Sequence, residues 1–254
     1  MVKRKFTYVD LDLTAIGAVV FDTDGVATDT ARLHAAAWKH VLDGFLRGRS
    51  EPFDIREDYL RHVDGRTRLD GLRTFLASRG ITLPEGSPDD EPGAETVHGL
   101  GAAKDRYFLR QIDKYGVASF PSAVALLHEL RRRGSRTAAV TSSAHGRRLV
   151  TAAGLAHLFD LVVDGHDAAL MNLPGKPDPA IYLEAARRLN IPPARTAVIE
   201  RALPGIEAAR KGGFGLVVAV DLTGQAEALR ECGADIVVKD LDELTVHGRV
   251  RLGD

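Results

Sequence analysis

From residue 121 to residue 238 helix-like and strand-like segments alternate, and that order limits the fold more than any other feature of the chain. A helical pattern over 121–133 leads into an apolar strand that ends near Thr141, and a helix over 145–153 leads into Leu161-Val162-Val163. Asp178-Pro179 then opens a helix to Leu189, with Asp as N-cap and Pro at the first helical position. Strands at 196–199, 215–220 and 236–238 follow. Strands separated by helices return to the same end of the sheet and so lie parallel, with helices covering both faces.

The first half of the chain has a different period. After a strand-like run, Ala18-Val19-Val20-Phe21, the apolar residues Leu33, Ala36, Ala37, Val41, Leu42 and Phe45 recur at helical spacing, with Thr30 as the expected N-cap. Helical patterns continue over 55–62, 68–78 and 100–115 with no strand among them, and the Pro/Gly/acid-rich stretch 83–93 separates the last two. The expected fold is α/β: a Rossmann-like, doubly wound parallel sheet with an inserted all-helical cap. Residues 1–30 and 113–254 form the core, and 31–112 the cap.

Charge and composition exclude several functions. With 34 basic and 35 acidic side chains the formal charge is −1, which gives no electrostatic basis for binding nucleic acid or an anionic membrane. Cys232 is the single cysteine, so neither an internal disulfide nor a Cys-based zinc site is expected. Residues 1–6 are basic, but Tyr8, Asp10 and Asp12 follow where a signal peptide needs an apolar core, and the expected location is cytoplasmic.

The chemistry concentrates at strand ends. Asp22-Thr23-Asp24-Gly25 follows the apolar run directly, and two carboxylates at i and i+2 face the same side, so one can attack a bound group while the other moves a proton. Gly25 lets the backbone turn sharply and bring N–H groups to an anion. Taken alone, Asp before Gly is also ordinary turn chemistry. Hydroxyls at Thr141-Ser142-Ser143, the amine of Lys176 in Gly175-Lys176-Pro177, and the carboxylate of Glu200 follow other strands or precede a helix. In an open parallel sheet such ends converge on one crevice.

This order of motifs resembles the haloacid dehalogenase superfamily, and within it the β-phosphoglucomutase-like phosphatases and mutases, from about residue 16 to residue 244. The resemblance implies Asp22 as the nucleophile that forms an aspartyl-phosphate and Asp24 as the general acid/base. It implies Thr141 as the phosphate-binding hydroxyl and Lys176 as the amine that balances charge on nucleophile and phosphate. It also implies Gly25 and Ser142 as substrate-binding residues. The stretch DTDGVATDT is a close match, with Thr23 standing where the family usually has an aliphatic residue. His34 and Trp38 match a His and a Trp near the substrate entrance, although i, i+4 spacing also suits plain packing. Arg68 matches an arginine that holds a sugar's second phosphate, and Lys104 a lysine that reaches the sugar phosphate; Lys104 could equally be a solvated helix lysine. His145 is read chiefly as a loop histidine, and Arg131-Arg132-Arg133 as cations complementing a helix C-terminus.

One departure stands out. In the family the segment beginning at Glu200 normally reads Glu-Asp-Ser or Glu-Asp-Ala, and the second acid ligates Mg²⁺; here that position is Arg201. A pair of unit charges about 4 Å apart interacts by about 4 kcal/mol at an effective dielectric of roughly 20, so a guanidinium beside a dication should lower metal affinity sharply. Three outcomes are open. Glu200 could join Asp22 and Asp24 as a metal ligand while Arg201 turns to solvent; Arg201 could contact phosphate in the metal's place; or Mg²⁺-dependent turnover could be impaired. The expected ligand is a sugar phosphate. The expected reaction is β-phosphoglucomutase-like interconversion of glucose 1-phosphate and glucose 6-phosphate, with sugar-phosphate hydrolysis, or a sugar-phosphate-binding module, as alternatives.

Overall fold

A computed structural model of the protein describes residues 9–249. The basic segment 1–6, and the expectation built on it, lies outside those residues. Strand β1 (Val9–Asp12) precedes β2 (Ala18–Asp22), and helices α1 (Thr30–Leu46), α2 (Arg68–Ser78) and α3 (Val97–Tyr115) follow. The rest alternates: α4 (Pro121–Arg132), β3 (Arg136–Val140), α5 (Gly146–Ala152), β4 (Leu161–Val163), α6 (Gly165–Leu170) and α7 (Ala180–Leu189). Then come β5 (Thr196–Glu200), α8 (Leu203–Lys211), β6 (Leu216–Val220), α9 (Ala226–Glu231), β7 (Ile236–Val238) and β8 (Leu244–His247).

The α/β expectation holds. Six parallel strands run in the order β4-β3-β2-β5-β6-β7. Every residue of the central strand β2 is buried, as a strand covered on both faces requires. The period-2 rule sorts its side chains. Val19 and Phe21 join Ile199 and the α4 residues Leu126, Leu127 and Leu130 on one face. Ala18 and Val20 join Val198, Tyr182 of α7 and Ile206 of α8 on the other. The same alternation carries Asp22 and Glu200, each following a residue of the first face, to the α7 side. From β2 the chain builds outward through β3 and β4, then crosses to β5 on the opposite flank. That reversal opens a crevice at the C-terminal ends of β2 and β5.

Helices α1 to α3 enclose an apolar cluster of their own, with Trp38, Leu42, Phe53, Leu72, Phe75 and Leu100 among its members. Thr96 caps α3 by accepting the Gly99 N–H at 2.9 Å, which starts that helix three residues before the apolar pattern suggested.

Several local expectations need correction. Thr30 is not an N-cap: Asp29 occupies that position, and Thr30 is the first residue of α1 with its hydroxyl turned to Asp24. The helix expected over 55–62 is a turn followed by a short π-helix, Tyr59–Val63. Asp54 accepts the Arg56 and Glu57 N–H groups as a helix cap would, but its carbonyl takes both the Asp58 and the Tyr59 N–H, and the Asp64 N–H reaches to the fifth residue back, Tyr59. Helix α7 begins at Ala180, and Asp178 accepts the Ala180 N–H at 2.9 Å from just outside it. Strands β1 and β8 pair parallel to each other as a separate ribbon; their residues alternate with charged ones too briefly to announce a strand.

Candidate active site

Asp22 ends β2, and its neighbours come from far along the chain. Lys176, on the loop between α6 and α7, donates to Asp22 Oδ1 at 2.7 Å and to Glu200 Oε1 at 2.8 Å. Tyr182 of α7 donates its phenol to the same Glu200 oxygen at 3.0 Å, and the ammonium lies 4.8 Å from its ring centre. All four are buried. Burial pushes the Asp22 carboxyl up and Lys176 opposes it, while the two flanking carboxylates hold the Lys176 ammonium firmly protonated against its own burial. The other Asp22 oxygen accepts the Asp24 N–H at 3.0 Å, as the sharp turn at Gly25 allows.

Asp24 sits among different groups. Thr141 donates to its Oδ2 at 2.5 Å, Thr30 donates to Oδ1, and His34 Nε2 lies 3.5 Å from Oδ1. Burial acts to raise the Asp24 carboxyl, but His34 and the two hydroxyls outweigh it and leave Asp24 far below the usual carboxylate range, hence anionic. The Thr141 hydroxyl thus serves Asp24. The Ser142 hydroxyl donates to the Gly65 carbonyl at 3.1 Å, joining the β3 loop to the helical layer.

From α3, Lys104 reaches His34 Nδ1 at 2.7 Å and lies 4.5 Å from the Phe108 ring centre, on which His34 stacks. It is not a solvated helix lysine: burial pushes its ammonium down to about 8, with Arg68 adding and Asp105 opposing. Arg68 Nη1 meets Asp105 at 2.9 Å, and His145 Nε2 meets the same carboxylate at 2.9 Å. Trp38 is buried in the helical cluster yet lines the same cavity as Asp22, Asp24, Arg68, Lys104 and Lys176, a space of about 380 Å³. Arg131 to Arg133 lie away from it at the end of α4, where Arg132 and Arg133 bond Glu129. The Thr23 hydroxyl is buried with no partner among the described residues.

Arg201 corrects the expected metal site. Its side chain is only 7% exposed; Nε donates to the Asp24 carbonyl at 2.8 Å and Nη2 to Asp64, a buried acid at the end of the π-helix. Glu200 has not swung toward a metal: its second oxygen accepts the backbone N–H groups of Arg201 and Ala202, and its first is held by Lys176 and Tyr182. Among the described residues no cluster of three acidic, His or Cys side chains is arranged to hold a cation. Each carboxylate oxygen of Asp22, Asp24 and Glu200 already accepts from a protein donor, and a guanidinium sits on the Asp24 carbonyl, so the donor set does not fit Mg²⁺, which binds through one or two free carboxylates with water and phosphate oxygens. Nothing in the sequence singled out Asp64, Asp105 or Tyr182. Asp64 precedes Gly65 as many turn acids do, and its meaning depends on Arg201, well over a hundred residues away.

A family description of haloacid dehalogenase-like hydrolases matches residues 16–213. The chain belongs to that family. Among curated relatives of this haloacid dehalogenase-like chain, a β-phosphoglucomutase of Mycobacterium bovis is 42% identical over 239 residues, covering 90% of this chain and 91% of its own length. A validoxylamine A 7'-phosphate phosphatase of Streptomyces hygroscopicus subsp. limoneus is 30% identical over 227 residues, covering 89% and 94%. Among solved structures, CbbY of Rhodobacter sphaeroides in complex with phosphate superposes with a TM-score of 0.68 at 26% identity, covering 91% of this chain and 97% of that one. The chain is accordingly an enzyme.

Proposed function

We propose that the enzyme is a phosphotransferase acting on sugar phosphates through an aspartyl-phosphate at Asp22, with β-phosphoglucomutase-like interconversion of glucose 1-phosphate and glucose 6-phosphate as its reaction. The observation that carries this reading is the 2.7 Å contact between Lys176 and Asp22 in a cavity that Arg68 and Lys104 also line. The family and the 42% identical mutase support it.

In this reading Asp24, held as a carboxylate, enters as a base. A sugar hydroxyl attacks phosphorus of the aspartyl-phosphate, its proton passes to Asp24, and the bond from phosphorus to the Asp22 oxygen breaks. In the return half, Asp22 attacks the other phosphoryl group, the sugar ester bond breaks, and Asp24 gives its proton to the leaving oxygen. Lys176 offsets charge on Asp22 throughout, and Arg68 with Lys104 receives the phosphate that is not reacting. Helices α1 to α3 act as the cap that excludes water.

Hydrolysis is the second reading, with water in place of the sugar hydroxyl, favoured by the phosphatase among the relatives. The test supplies β-glucose 1-phosphate with a trace of glucose 1,6-bisphosphate, with and without Mg²⁺, and follows glucose 6-phosphate, free glucose and phosphate. Glucose 6-phosphate as main product supports the mutase, and free glucose the phosphatase. Product formation that survives Asp22→Asn undiminished sinks both.

A further inference from the structure

We infer that this enzyme binds the phosphoryl group of its ligand without magnesium, the guanidinium of Arg201 standing in the dication's place. The inference rests on the proposed reading of the cavity as a phosphate site. Arg201 is fixed from two sides, by the Asp24 carbonyl at 2.8 Å and by Asp64, so the planar group has one orientation. Its third nitrogen, Nη1, has no hydrogen-bond partner among the described residues and is not sealed from solvent, and Arg201 is among the residues lining the cavity that holds Asp22, Asp24 and Lys176.

The backbone makes room for it. Gly25 has φ +83°, and a Cβ there would fall 2.2 Å from Arg201 Nε, so the turn after the two aspartates accepts the guanidinium only because residue 25 has no side chain. The carbonyl of Asp24, an oxygen that a hard cation could have used, is spent on Arg201. Both Glu200 oxygens are likewise spent on protein donors. Arginine binds phosphate oxygens through directed N–H donors and, unlike Mg²⁺, needs no free carboxylate oxygen beside it.

The experiment titrates inorganic phosphate into the full chain by calorimetry, once in EDTA and once with excess MgCl₂. Wild type is expected to bind equally in both, within about twofold, and MgCl₂ alone to give no saturable heat. Arg201→Asp is expected to lose roughly tenfold to a hundredfold of its phosphate affinity in EDTA and to regain it with Mg²⁺. Arg201→Lys keeps the charge and should still bind in EDTA. Because Asp64 would face a second carboxylate in Arg201→Asp, that variant could fail to fold; wild type and Arg201→Lys then decide the matter. Phosphate bound by wild type only when Mg²⁺ is present overturns the inference and leaves the cavity reading intact. Phosphate bound in neither condition overturns both.

Discussion

Two buried lysines face the same cavity and are driven in opposite directions. Lys176 is held between the carboxylates of Asp22 and Glu200, at 2.7 and 2.8 Å, and keeps its proton. Lys104 is as deeply buried, but its hydrogen-bond partner is the neutral imidazole of His34, and its ammonium is pushed down to about 8. Burial penalises both charges; Lys176 has two carboxylates in direct contact to offset it, whereas Lys104 has a more distant Asp105 opposed by Arg68. On the sheet side a cation is part of a fixed ionic cluster, whereas on the helical side it is left needing an anion. A phosphate would supply one.

The largest expected break in this comparison is Lys176→Met. Removing the shared cation leaves two buried carboxylates facing each other, and stability should fall by about 3–5 kcal/mol. Urea unfolding of the variant at neutral pH measures it; a loss below about 1 kcal/mol would mean the cluster does not hold the sheet ends together.

Lys104 gives a sharper, pH-dependent contrast. If the ligand needs the charged form, phosphate affinity should fall about tenfold for each pH unit above 8, and Lys104→Met should abolish that slope. The folded value lies below the ordinary 10.5, so the unfolded chain binds this proton more tightly. The stability penalty is therefore full below pH 8 and is relieved as pH rises from about 8 to 10.5. Lysine NMR should show Lys104 titrating near pH 8 while Lys176 does not move.

The smallest effect belongs to Asp105. Burial acts to raise it, but His145 and Arg68 prevail and hold it down at about 2, against an ordinary 3.8. Its contribution to stability is present above pH 3.8 and lost as pH falls through about 2. His145→Ala should remove less than about 1 kcal/mol, read as an earlier acid limb in the thermal midpoint; an unchanged limb would show that Arg68 alone suffices.

Much of the framework was legible along the chain. Alternating apolar segments gave the parallel sheet, and the motif at Asp22 fell where β2 ends. Two misreadings share a cause: Thr30 and Asp178 carry side chains that can bond either the local backbone or a distant polar group, and local spacing does not say which partner prevails. The ribbon of β1 and β8 was illegible because its two halves lie at opposite ends of the chain and only pairing makes either a strand.

Sequence alone determined the sheet and its order of helices and strands, because period-2 and period-3.6 patterns are local properties of the chain. It also determined that a guanidinium stands at 201, where the family resemblance implies an acid. Only the tertiary structure decided where that guanidinium goes, that Thr141 turns its hydroxyl to Asp24, and that Lys104 is dry. Those outcomes depend on which charges meet across long stretches of chain, and the strength of each meeting is set by the burial that folding imposes.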